Sequence, residues 1–390
     1  MLVQQYNNIA NMKRLAQIDI LRGMAALGVF IFHLAVALNF DKRVMPPVEL
    51  FGRVWSHIPS IFSFGACGVS LFFVISGYCL AWRPLLTQRG RIDLRKYFLD
   101  RFARVYPPYF IAVAVSLAVC TLLGQVWTWR EAIVFFSLLQ GFVQEWHFGI
   151  NGALWSMSTE VQFYLAFPFL MLLLRNINVF MFSLFLIVGT MLFRYYCSSA
   201  EWSTQLLGGI NTGTFVMNML PGRLLEFAMG VLLAFSWIGN PKQTGRICRL
   251  LLVPAVLLGF YARLKLGTWI ADPALGLMFT VVVGSTLSMD VTEKFHYVSN
   301  FGKMSYSFFL VHVPVVVLVI AMLPLESTSI YQKFFAVACI SFVITYALSA
   351  VMYHYVEVHL FEIIRRKMAS KANPTQQANT EKVASISTFN

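Results

Sequence analysis

Ten runs of mainly apolar residues, near 18–40, 59–82, 105–124, 153–174, 178–197, 214–237, 250–266, 273–290, 304–324 and 332–356, dominate this chain. A helix needs roughly 17–25 such residues to cross the hydrocarbon core of a bilayer, and these runs meet that length. The expected fold class is therefore all-α, a polytopic membrane helix bundle of about ten transmembrane helices. A further stretch, 132–144, is too short to cross and is expected as a re-entrant or interfacial helix. Composition agrees, since only 12% of residues are charged, about half the usual share in a soluble protein.

The formal charge of +13 does not signal nucleic acid, because Lys and Arg gather in short segments between the apolar runs and no aromatic-basic module accompanies them. They gather on one side. Lys13, Arg14, the cluster from Arg83 to Arg104, Arg175, Lys242, Arg246, Arg249, Lys294, Lys303 and the basic tail share a side if all ten runs cross. The positive-inside rule makes that side, and both termini, cytoplasmic. The first run carries Asp19, Arg22 and His33 and has no small-residue cleavage site, so it is expected to stay in the protein. One domain is expected: a cytoplasmic segment 1–17, a transmembrane domain 18–360, and a tail 361–390 that is basic and then disordered. The six cysteines lack the spacing of a zinc site or a disulfide framework and read as small packing residues.

Ionisable groups at membrane depth are costly, so Asp19, Arg22, His33, Glu160, Arg194, Arg223, Glu226, His312 and Glu357 are candidates for function. Arg22 and His33 lie eleven residues apart, about three helical turns, and so share one face about 16 Å apart along the axis. Asp19 can pair with Arg22 on that stripe. The bland alternative is a membrane-boundary pair and a core histidine. Glu160, about seven residues into its span, is expected at the depth of His33, where a carboxylate can orient an imidazole. A structural buried pair is the alternative. Arg101 and Arg104, one turn apart before Tyr106-Pro107-Pro108, suit phosphate oxygens, although a basic loop is commonly just a topology signal. Gly68 and Gly77, at the ends of one apolar string, suit close helix packing.

Five strings resemble the motifs of the acyltransferase-3 family, in the family's order. They are Asp19-Ile20-Leu21-Arg22-Gly23 with His33; Gly68-Val69-Ser70-Leu71-Phe72-Phe73-Val74-Ile75-Ser76-Gly77; Arg101-Phe102-Ala103-Arg104 with Tyr106-Pro107; Leu154-Trp155-Ser156-Met157-Ser158-Thr159-Glu160; and Gly302-Lys303-Met304-Ser305-Tyr306-Ser307 with His312 and Pro314. Tyr78, Met157 and Phe309 depart from the usual residues, the last removing a hydroxyl.

The resemblance implies a membrane O-acyltransferase in a bacterial inner membrane, moving an acyl group, usually acetyl, from cytoplasmic acyl-CoA to a hydroxyl of an extracytoplasmic glycan, with no metal. On that reading Arg101, Arg104, Arg22 and Tyr106 hold the cofactor. His33 acts as general base or as acylated nucleophile, Glu160 orients it, and Arg22 belongs to the catalytic stripe. Asp19, Ser76, Trp155, Arg223, Glu226, Tyr306 and His312 line the substrate path, structural pairing being the alternative for Arg223, Glu226 and His312. A chain of 390 residues leaves no length for the fused esterase-like domain of some relatives, so direct transfer or a separate protein is expected. The rival readings are a transporter or flippase for a lipid-linked sugar and a non-catalytic acyl-group sensor; the internal repeats typical of transporters are not seen.

Overall fold

The computed structural model describes residues 16–38, 48–50, 53–55, 61–87, 92–198, 212–290, 295–323 and 329–372. Residues 1–15 of the expected N-terminal segment and 373–390 of the expected tail lie outside this set. Among the described residues, ten helical segments are long and apolar enough to cross a membrane, as the hydrophobic runs require. The chain is a multi-pass membrane protein.

Helix α1 is Ala16–Ala37. A short antiparallel hairpin, β1 Val48–Leu50 and β2 Arg53–Trp55, follows. A 3₁₀ stretch Ile61–Cys67 leads into α2, Gly68–Thr87. Helix α3, Leu94–Leu122, begins at an Asp93 cap and continues through Pro107 and Pro108. Next come α4 Trp129–Phe136, α5 Trp155–Asn176, α6 Val179–Cys197, α7 Thr212–Met217, α8 Leu220–Gly239, α9 Pro241–Lys265 and α10 Thr268–Leu287. The short α11, His296–Lys303, precedes α12, Ser305–Met322. Helix α13, Ile330–Met352, passes through a π-helical stretch Tyr353–Leu360 into α14, Phe361–Ala372. The part of the expected tail that is described is thus helical.

Glycines set the spacing of the inner helices. A Cβ on Gly68 would meet the Ala25 carbonyl of α1, and one on Gly77 would meet the Phe227 carbonyl of α8. Gly230 of α8 lies in turn against the Val74 carbonyl, so α2 and α8 cross backbone to backbone. Lipid gives helices no hydrophobic drive to associate, so this close approach, with its dispersion contacts, takes that role. Gly302 likewise seats α11 against the Asp19 carbonyl of α1.

The stretch expected as re-entrant does enter the bundle. Helix α4 descends until the Tyr109 hydroxyl donates to the Phe135 carbonyl (2.7 Å) and the Tyr106 hydroxyl to the Phe136 carbonyl (3.2 Å). The chain turns at Leu138, whose φ is 61°, and climbs until the Ile150 carbonyl faces the Cys120 thiol near the far end of α3. Side chains satisfy its backbone on the way: Ser158 donates to the Leu138 carbonyl and Gln140 to the Leu154 carbonyl. Pro314 carries no N–H, so the Leu310 carbonyl one turn earlier in α12 lacks its helical donor. Asn151 fills the gap, donating at 3.1 Å to that carbonyl and at 3.1 Å to Ser116.

Gly77→Ala should lower stability by about 1–3 kcal/mol, because the methyl group meets helix backbone that has no rotamer to yield. Thermal melting of purified protein in detergent checks this, and an unchanged midpoint would contradict the packing account.

Candidate functional site

A cavity opens between α1, α2, α3, α5 and α12 at the end of the bundle where α1 begins. Three guanidinium groups line it: Arg22 from α1, with Arg101 and Arg104 from one face of α3. Among the described residues no carboxylate pairs with any of the three in a salt bridge, and the buried Nε of Arg101 donates to none of them. The Arg101 guanidinium lies 5.9 Å from the Tyr97 ring centre. One carboxylate shares the wall. Glu160 accepts from Ser76 (3.0 Å) and from Tyr164 (2.6 Å), and the Tyr306 hydroxyl, also at the wall, donates to the Val105 carbonyl (2.9 Å). Three cations against one carboxylate in a low-dielectric cleft make a site for a polyanion. Nearby, Glu357 in the π-helical stretch accepts from the Ser307 hydroxyl (2.5 Å) and amide (3.1 Å), tying that stretch to the first turn of α12.

Phe72 and Phe309 line the inner part of the cavity, with ring centres 5.6 Å apart. Behind them stands a histidine pair: the Phe309 ring is 5.7 Å from that of His312, and His312 is 5.0 Å from His33. His33 Nδ1 lies 3.0 Å from the Val29 carbonyl and 3.1 Å from His312 Nε2, while His312 Nδ1 lies 2.7 Å from the Phe309 carbonyl. The Gly152 backbone also lies near the His33 ring.

The structure does not bring Glu160 to His33, where the depth count expects it, but joins it to Ser76 and Tyr164. Ser76, the partner of Glu160, lies eight residues, about 12 Å, beyond Gly68 along α2, and Gly68 already packs on Ala25, eight residues short of His33, so antiparallel α2 carries the carboxylate away from the ring. The depth count assumed that α5 starts at the membrane surface. It starts inside the bundle, where the returning segment has brought Asn151 to the level of Leu310. His312, not Glu160, is the ring's side-chain neighbour.

The other expected residues divide between two regions. Ser76 and Tyr306 line the cavity with Arg22. Asp19 is buried at 2% exposure outside the lining set. Tyr106, expected at the cofactor, is outside it as well: two residues beyond Arg104 it points about 200° round the helix, stacks on Phe102 and binds the Phe136 carbonyl.

Trp155, Arg223 and Glu226 belong instead to an ionic network at the opposite ends of α6, α8 and α10. Arg223 lies 2.9 Å from Asp272, 3.4 Å from Glu226 and 5.6 Å from the Trp155 ring centre, and donates to Asn218 (2.9 Å). Arg194, fully buried, pairs with Asp272 (2.6 Å) and donates to the Trp269, Gly222 and Thr268 carbonyls. Asn218 also meets Nε2 of His147 (3.3 Å), a loop histidine that burial, with a smaller push from Arg223, brings down to about 4, so that it is neutral at pH 7. Asp272 escaped the sequence reading because it stands one residue before the run drawn from 273. Its position among apolar residues ahead of Pro273 was the available signal.

The profile of the acyltransferase domain matches residues 15–354. The chain belongs to the acyltransferase-3 family. Relatives of this chain include the acyltransferase MdmB of Streptomyces mycarofaciens, 30% identical over 235 residues, which are 57% of this chain and 57% of the relative. Another is the peptidoglycan O-acetyltransferase OatA of Listeria monocytogenes serovar 1/2a (strain ATCC BAA-679 / EGD-e), 24% identical over 380 residues, 88% of this chain and 55% of that one. The chain thus spans a little over half the length of these relatives. No solved structure matches it.

Arg194→Met should destabilise the protein by on the order of 3 kcal/mol, since three carbonyls and a carboxylate lose their donor. A melting midpoint equal to that of the parent protein would show the network to be dispensable for folding.

Proposed function

We propose that this protein is a membrane O-acyltransferase that takes an acyl group, acetyl first of all, from acyl-CoA on the cytoplasmic side and passes it to a hydroxyl of an extracytoplasmic carbohydrate. The single observation that carries the reading is the cavity with three guanidinium groups and no opposing ion pair among the described residues, ending one aromatic layer short of a histidine pair. Coenzyme A is a polyanion with a long flexible arm, and charge-assisted hydrogen bonds from Arg22, Arg101 and Arg104 suit its phosphates. The basic loops gather at the cavity's end of the bundle, which supports a cytoplasmic mouth and, for a bacterial protein, an inner-membrane location. A relative that acetylates peptidoglycan supports a carbohydrate acceptor.

In this mechanism the arm passes Phe72 and Phe309 as their rings turn aside, and the thioester comes to rest beside His33. His33 takes the proton of the acceptor hydroxyl, as a neutral imidazole with a free ring-nitrogen lone pair can. The oxygen attacks the thioester carbon, the C–S bond breaks, and the departing CoA thiolate takes the proton from the imidazolium. Glu160, held by Ser76 and Tyr164, is a positioning residue on the cofactor wall. The leaving group is good, so the protein's work is alignment, proton transfer and oxyanion stabilisation.

Purified protein given labelled acetyl-CoA and a glycan acceptor should release CoA and acetylate the glycan. His33→Ala should abolish turnover without impairing membrane insertion, and full activity in that variant would end the proposal. Arg101→Ala and Arg104→Ala should each raise the KM for acetyl-CoA about tenfold or more. An unchanged KM would remove both from the cofactor site.

A further inference from the structure

His312 stands outside the cavity wall, fully buried on α12, and no described carboxylate bonds to either ring of the histidine pair. The hydrogen-bond geometry nevertheless dictates where the protons sit. His312 Nδ1 is 2.7 Å from the Phe309 carbonyl, an acceptor only, so Nδ1 carries the hydrogen. A neutral imidazole has one N–H, which leaves a lone pair on His312 Nε2. His33 Nδ1 faces that lone pair at 3.1 Å and the Val29 carbonyl at 3.0 Å, so it too must donate. The lone pair of His33 is then left on Nε2, the one ring nitrogen available to a hydroxyl.

From this we infer that His312 is a positioning residue for the acyl transfer, fixing His33 in the tautomer whose Nε2 is the base and accepting from its Nδ1–H when the ring becomes charged. The inference rests on the acyltransferase reading above and deepens it. In a hydrolase triad a carboxylate holds the base histidine. Here a second imidazole takes that place, held in turn by the Phe309 carbonyl. When Nε2 takes the proton of the acceptor, both nitrogens of His33 carry hydrogen. The Val29 carbonyl and His312 Nε2 go on accepting from its Nδ1–H, which stabilises the charged form before the proton passes to the thiolate. A neutral relay suits this depth, where a buried carboxylate would carry a desolvation cost of its own.

The test uses the full chain in detergent or nanodiscs. His312→Leu should lower kcat about 100-fold or more with the KM for acetyl-CoA changed less than about threefold, as expected when a proton-transfer group loses its orientation. His312→Gln, whose amide oxygen accepts from Nδ1–H, should recover about tenfold or more of the loss. A loss carried by KM, equal activity of the Leu and Gln variants, or a kcat within twofold of the parent would each overturn the inference. Histidine ¹⁵N NMR of the parent protein, assigned with His33→Gln, reads the tautomer without turnover. A protonated Nδ1 and bare Nε2 on His33 supports the relay, and the opposite tautomer overturns it even if His312 variants fail to fold. Absence of acetyl-CoA turnover in the parent together with the expected tautomer would instead count against the donor assigned above and in favour of the hydrogen-bond relay.

Discussion

No water reaches the hydrocarbon core to satisfy a peptide group, so non-helical backbone survives there only where protein supplies its partners. The segment between α4 and α5 meets that condition through side chains aimed at its carbonyls and through Asn151, which bridges Ser116 and the carbonyl that Pro314 leaves open. Much else depends on this one descent and return. It starts α5 inside the bundle, which carries Glu160 down to the arginines and leaves Gly152 beside His33.

Buried charge is handled in two opposite ways in the same molecule. Arg194, Arg223, Glu226 and Asp272 form a paired network in which each cation has a carboxylate within 3.4 Å. Removing one member would leave another exposed to a low dielectric, so such a network holds helices together. Arg22, Arg101 and Arg104 have no such carboxylate partner among the described residues and face an open cavity. Unneutralised cations at membrane depth are costly, and a ligand that supplies the missing charge is the physical reason to keep them. The contrast separates structural arginines from candidate binding ones without reference to any relative.

Much of this was legible in the residues themselves. The ten runs matched ten helical segments, and the thirteen-or-so apolar residues near 132–144 were too few to cross and do turn back. Arg101 and Arg104 share a face because they are one turn apart, and Gly68 and Gly77 are contact points because nothing larger fits. Tyr106 and Glu160 show the limits. The resemblance groups Tyr106 with Arg104, whereas two residues along a helix is nearly the opposite face. Glu160 was assigned a depth by counting from the edge of an apolar run, and that edge lay inside the protein rather than at its surface.

The sequence alone determined how many times the chain crosses, which residues stand too deep to be incidental and which of them repeat on one helical face, because hydrophobic length and helical period are local properties. Tertiary structure alone decided which deep residues meet. That His33 faces His312 across 279 positions of chain, that Glu160 joins the arginines, and that Asp272 closes a network with Arg194 and Arg223 depend on how helices from distant parts of the chain are offset along the membrane normal. That offset is set by glycine contacts and by a buried turn whose backbone partners lie on other helices, and no single segment encodes it.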